Sequence, residues 1–242
     1  GGCGGYGGGS DSYDAGGGGG LYGDGDYSTY SGYVGGRSFS NGGFGGGIYF
    51  YFSSSNLVNV TISNNSATYG GGIFSFHSNP TLENVTIIEN TAYTGAGITC
   101  YTSSPTIKNV NISNNQAIDA SNEYNAKAGG IFITESSNPT LENVIISNNT
   151  AQYGGGINIE DQCEPTFNNV DILNNSASYD GGGVFCGYNS SPVFINTNII
   201  DNFAGNSGGG IRAYHSSLIF SNVVIAGNEC SWSTISLSNN SS

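Results

Sequence analysis

Positive charge is nearly absent from this chain. Its 242 residues hold four Lys and Arg against seventeen Asp and Glu, a formal net charge of −13. Such a chain has no electrostatic footprint for nucleic acid or for an anionic membrane surface. Met is missing, Trp occurs once, and charged residues of either sign make up only 9%. No apolar run approaches the ~18 residues of a membrane-spanning helix, so no membrane insertion is expected. The helix formers Ala, Glu, Lys, Leu and Arg are too scarce for a bundle, which leaves a mainly β chain. Five irregularly spaced cysteines exclude a disulfide framework and a zinc site. With no initiator Met and no signal peptide, the sequence reads as a processed product or a fragment.

Glycine, by contrast, is abundant and uneven. Residues 1–47 hold 22 of the 41 Gly. This composition break divides the chain into a Gly/Tyr-rich amino-terminal segment, 1–44, and an Asn/Ser/Ile-rich body, 45–242.

The body is a repeat. A Gly before Ile or Val recurs at Gly47, Gly72, Gly97, Gly130, Gly156, Gly183 and Gly210, at intervals of 25, 25, 33, 26, 27 and 27 residues. The long interval carries a polar surplus, Ile118–Lys127, read as an inserted loop. One Asn column runs through Asn59, Asn84, Asn109, Asn143, Asn169, Asn196 and Asn222. A second follows six residues later in every repeat: Asn65, Asn90, Asn115, Asn149, Asn175, Asn202 and Asn228. Two residues before the first Asn stands Leu, Ile or Phe, three after it always Ile, and two after the second Asn a small residue.

Within each repeat apolar residues alternate over short runs, as in Val60 and Ile62 or Ile98 and Cys100, which is strand spacing. Repeats of 25–27 residues built from such strands are coils of a β-solenoid, about seven of them. Single coils cannot bury their apolar face, but stacking them ~4.8 Å apart builds a continuous core. The expected inward columns are the Leu/Ile/Phe, the Val, the Ile, the Ile after Gly, and the residue two further on. Asn at a corner tolerates the left-handed backbone, and stacked Asn amides can bond along the axis. Both Asn columns are therefore expected to be structural ladders. Glu83, Lys108 and Glu142 should align on the solvent face, where such pairs contribute only ~0–1 kcal/mol.

The motif Ile62-Ser-Asn-Asn65 with Gly71-Gly-Ile73, repeated as Ile146-Ser-Asn-Asn149 with Gly155-Gly-Ile157, resembles the repeat of polymorphic outer-membrane protein passengers. The resemblance covers about residues 45–237 and implies an all-β, right-handed parallel β-helix. It says little of function, because this fold hosts lyases, adhesins, capsid spikes and fibres. The family's carboxy-terminal membrane barrel is absent from the sequence, so its autotransporter role is unsupported.

No catalytic constellation emerges. A site resembling that of pectate lyases would set Ca²⁺ carboxylates beside a basic residue, and the only candidates are Arg37, Lys108, Lys127 and Arg212. His77 and His215 fall at the same turn of distant coils and cannot meet. No cofactor is expected. For Ca²⁺, Asp24 and Asp26 with Asp11 and Asp14, or Glu160, Asp161 and Glu164, offer oxygens but lack an EF-hand spacing.

Nine Asn-x-Ser/Thr triplets occur, against roughly seven expected from composition. Asn64, Asn148, Asn174 and Asn189 are the outward candidates for glycosylation, whereas Asn59 and Asn84 are poor ones if their ladder faces inward. Cys100 and Cys186 share an inward column but stand three coils apart, ~14 Å, beyond any disulfide. Cys3 and Cys230, at opposite ends, could form an intermolecular bridge. Solenoid ends need capping. The Tyr-bearing 1–44 segment is expected to order against another subunit. The resulting expectation is a non-enzymatic extracellular or cell-surface structural protein, stacking head-to-tail with itself into a filament. The alternatives are an adhesin or glycan-binding passenger of a larger surface protein, and a polysaccharide lyase.

Overall fold

Each coil turns where the sequence places residues that tolerate a left-handed backbone. The computed structural model describes residues 43–119 and 126–238, together with the backbone of 21–22 and 29–34. Every strand pairs parallel with its counterpart one coil away, giving three long sheets and no helix among the described residues.

Sheet one has nine strands, from Leu21–Tyr22 and Ile48–Tyr51 through Ile98–Tyr101 and Ile131–Thr134 to Ile235–Ser238. Sheet two holds the first Asn column and bends at it. In some coils it is one strand, such as Asn56–Ser63, and in others two, such as Thr81–Glu83 and Thr86–Ile88. Sheet three runs from Ser66–Tyr69 to Glu229–Cys230. Part of the 1–44 segment adds backbone ahead of the first coil. Leu21–Tyr22 pairs with Ile48–Tyr51, and Thr29–Val34 pairs with Asn56–Ser63.

The inward columns are those the alternation predicts. Leu57, Val60 and Ile62, with Ile48 and Phe50, belong to one continuous core that runs to Ile211 and Ala213. Truncating one of these Leu or Ile to Ala should cost ~2–5 kcal/mol. The glycines before them leave room for the next coil: a Cβ on Gly72 would meet the Gly97 carbonyl oxygen at 2.6 Å.

The two Asn columns are built differently. Asn59, Asn84, Asn109, Asn143, Asn169, Asn196 and Asn222 all have positive φ, between 48° and 56°, and are exposed. Their amides bond along the axis, Asn109 Nδ2 to Asn84 Oδ1 at 3.2 Å for example. At Asn196 the ladder steps aside to Asn168. In the second column the left-handed residue is the one before the Asn: Asn64, Glu89, Asn114, Asn148, Asn174, Asp201 and Gly227. The Asn itself points inward and is buried. Both its backbone N–H and its Nδ2 donate to Oδ1 of the next Asn, as from Asn90 to Asn115 at 3.0 and 2.9 Å. Nδ2 also reaches an Ile carbonyl of the preceding coil, as from Asn115 to Ile87. A corner role for both columns is thus half right: one column turns the chain, the other ties the coils.

Two further columns escaped the sequence reading. All five prolines, Pro80, Pro105, Pro139, Pro165 and Pro192, stand two residues before the inward Leu, Ile or Phe of sheet two. A missing N–H does no harm there because the ladder begins one residue later. Pro80 O accepts from Thr106 N, and the later prolines repeat the pattern. In an inner serine column that starts at Ser53, the hydroxyls of Ser78, Ser103, Ser137 and Ser190 accept backbone N–H bonds from coil to coil, with Cys163 standing in the same row.

Candidate functional site

The outer surface of sheet one is where the repeat stops being uniform. Side chains one and three residues after the inward Ile point outward. In the first two coils these are Tyr49 and Tyr51, then Phe74 and Phe76. In the third they are Thr99 and Tyr101, and in the fourth Phe132 and Thr134. Register stacks like on like. Tyr51 lies 5.5 Å from Phe76 with 9° between ring planes, and Phe76 lies 5.4 Å from Tyr101. Phe44 and Tyr69, from the sheet-three corner, extend the aromatic surface and meet at 5.3 Å.

Both columns then lose a ring, one at Thr99 and one at Thr134, and a groove of about 460 Å³ opens. Its floor is polar and closely packed: Thr99 is 1% exposed and Glu160 5%. Lys127 Nζ bonds Glu160 Oε2 at 2.6 Å and lies 5.8 Å from the Phe132 ring centroid. The ring quadrupole adds to the attraction of the carboxylate for the ammonium. Thr134 donates its hydroxyl to Asp161 Oδ2 at 2.7 Å. Burial, then the Glu135 and Asp161 carboxylates, push the Tyr101 phenol up, so it stays a neutral donor.

Lys127 is not part of the inserted loop, contrary to the sequence expectation. It bridges Thr94 and Tyr153 in the sheet-three row and occupies the outward position before the left-handed Ala128. The coil resumes by Ala126, so the surplus ends earlier than spacing alone placed it. The acidic group Glu160, Asp161 and Glu164 is also split. Glu160 is ion-paired, Asp161 holds Thr134, and Glu164 is exposed. Among the described residues no three His, Cys, Asp or Glu side chains converge on a common point. Asp11, Asp14, Asp24, Asp26, Arg37 and Cys3 lie outside the described residues.

The remaining sequence candidates fall as follows. Asn64, Asn148, Asn174 and Asn189 are exposed at left-handed corners, and Asn59 and Asn84 face outward rather than inward. Lys108 aligns with Glu83 and Glu142 and bonds the second at 3.3 Å. Cys230 is a half-buried free thiol at the carboxy-terminal end of sheet three. The groove itself went unread. Its signal was the aromatic residues recurring one and three positions after Gly-Ile in the first coils.

A family model described as the right handed beta helix region matches residues 117–242. No curated protein and no solved structure matches the chain. The match covers just over half of the sequence and coincides with the later coils of the parallel solenoid, so the chain belongs to the right-handed β-helix family.

Proposed function

We propose that this protein is an extracellular or cell-surface β-solenoid that binds glycans along the outside of sheet one without transforming them. The groove carries the reading. Sugar rings present apolar C–H faces and polar edges, and sites that hold them combine aromatic surface with a few convergent hydrogen-bonding groups. Tyr51, Phe76 and Tyr101 supply the first, and Asp161 the second. Binding without turnover is supported by how the carboxylates are engaged. Glycoside hydrolysis asks for two carboxyl groups, one able to protonate the leaving oxygen. Here Glu160 is paired with Lys127 and Asp161 with Thr134.

Calorimetric titration with oligosaccharides should show saturable binding. Tyr101→Ala should weaken it about fivefold, the equivalent of roughly 1 kcal/mol of ring contact. No binding across a broad set would sink the reading. Release of unsaturated or reducing sugars would overturn its non-enzymatic part.

A second reading, head-to-tail stacking into a surface filament, is favoured by the last coil. Residues equivalent to core or covered positions elsewhere are open there: Phe220 is 43% exposed, and Ile235, Leu237 and Trp232 are exposed beside it. A second copy seated on this end would continue three parallel ladders, and a heterologous contact of that kind propagates without closing. The other end is less open, because Thr29–Val34 already lies along the first coil. Negative-stain images of filaments growing in steps of about 35 Å would support stacking. Single rods at every concentration would end it.

A further inference from the structure

We propose that Lys127 and Asn158 join covalently, Nζ to Cγ, in a self-formed amide cross-link between neighbouring coils. The starting point is an orphaned side chain. Asn158 is fully buried, and neither its Nδ2 nor its Oδ1 has a hydrogen-bond partner among the described residues. A buried primary amide left unpaired is costly. The buried Asn of the second ladder, by contrast, all bond through their amides. Nothing in the repeat asks for Asn at position 158. Its outward column carries Phe132 one coil earlier and Phe185 one coil later, both paired with it in register.

An amine and a carboxylate stand beside this amide. Glu160 lies two residues on, on the same face of the strand, and is 5% exposed. Lys127 Nζ is 2.6 Å from Glu160 Oε2 and 5.8 Å from the Phe132 ring centroid. Phe132 and Glu160 occupy opposite corners of one cell of the sheet, ~4.8 Å by ~6.6 Å, and Asn158 occupies a third. Nζ therefore sits a few ångströms from the amide, and rotation of the flexible lysine stem covers the remainder. Three columns change residue type together here. The corner column turns from Thr94 to Lys127, and the outward columns from Phe132 to Asn158 and from Thr134 to Glu160.

The chemistry needs no oxidant and no cofactor. Glu160 takes a proton from the Lys127 ammonium along their hydrogen bond, and the freed amine adds to Asn158 Cγ. Glu160 then gives that proton to Nδ2 and takes another from Nζ. The Cγ–Nδ2 bond breaks, the Nζ–Cγ bond remains, and ammonia leaves, carrying away the last proton from Glu160. Burial of Cγ keeps water from competing as the nucleophile. The product has one N–H where Asn158 had two, and Glu160 is in place to accept from it.

Intact-mass spectrometry of the purified full-length chain, unfolded after its mass has stopped changing, tests this. Wild type should be lighter than its sequence by one ammonia, and trypsin should no longer cut after Lys127. Lys127→Arg, Asn158→Ala and Glu160→Gln should each have their full sequence mass. A wild type at full mass and cut after Lys127 overturns the cross-link, whatever the variants do. Loss of ammonia that persists in Lys127→Arg overturns it too, because an Asn cyclised on its own backbone loses the same mass without any lysine. Should the variants fail to fold, fragmentation of the wild-type digest decides. A branched peptide joining residues 127 and 158 supports the bond, and two separate linear peptides overturn it.

Discussion

The two asparagine ladders are equally regular in sequence and physically unlike. Asn109 sits at φ 53° on the surface, and its amide bonds compete with water. Asn115, six residues on, is fully buried and occupied at every polar atom. It accepts from Asn90 N and Nδ2, and it donates to Asn149 Oδ1 and to the Ile87 carbonyl. The first column is selected for a backbone angle and the second for hydrogen bonds no other side chain of that size can supply. A shared residue type and a fixed spacing do not imply a shared role. Burial decides which property of the amide matters.

The largest effect should come from breaking the buried ladder. Asn115→Ala strands the Asn90 backbone N–H and takes the side-chain donor from the Ile87 carbonyl and from Asn149 Oδ1, which keeps the residue-115 backbone N–H. Each buried orphan costs ~1–3 kcal/mol, so a loss of about 3–5 kcal/mol is expected after partial relaxation. Asn115→Asp should be worse at neutral pH, since it removes the Nδ2 donors and buries a charge. Chemical denaturation of both variants checks this, and a cost below about 1 kcal/mol would mean that the ladder is replaceable by water.

A smaller, pH-dependent effect should separate interior from surface in the thiols. Burial pushes the Cys163 and Cys186 thiols up to about 12, and Cys100 is raised for the same reason. Backbone hydrogen bonds from Ser137 and Ser136 oppose the rise at Cys163 without cancelling it. In the unfolded chain a thiol titrates near 8.5. Below that pH both states are protonated and the thiols add no slope. Between ~8.5 and ~12 the unfolded state loses its proton and the folded state keeps it, so stability falls as pH rises, by up to ~1.4 kcal/mol per unit for each thiol. Cys163→Ser, which completes the serine row, should remove one such increment between pH 8 and 10. Equal slopes for variant and wild type would show that this thiol ionises in the folded protein.

Much of this architecture is legible from spacing. The inward columns, the coil number and both ladders follow from one alignment of the chain with itself, because every coil must satisfy the same packing and hydrogen-bond constraints. The proline row was equally legible and overlooked, since five residues scattered over 242 look like nothing until placed in register. The groove is different in kind. Thr99, Lys127 and Glu160 come from three coils and matter because they depart from their columns. The insertion also displaced Lys127 in sequence and hid its return to the solenoid. Periodicity reveals what all coils share, whereas a site is made where they differ.

The exposed ladder offers the mildest test, and its sign is informative. Asn109→Gly removes two surface hydrogen bonds, to Asn84 and from Asn143. In water each is worth little, and Gly enters the left-handed region with no steric cost. Against this, Gly adds entropy to the unfolded chain, roughly 0.5–1 kcal/mol. These contributions nearly cancel, so Asn109→Gly should lie within about 0.5 kcal/mol of wild type. Asn109→Val should cost ~1–2 kcal/mol, since a β-branched residue must be forced to φ 53°. If Gly and Val were equally damaging, the amide bonds rather than the angle would hold this corner, and the two ladders would be one device after all.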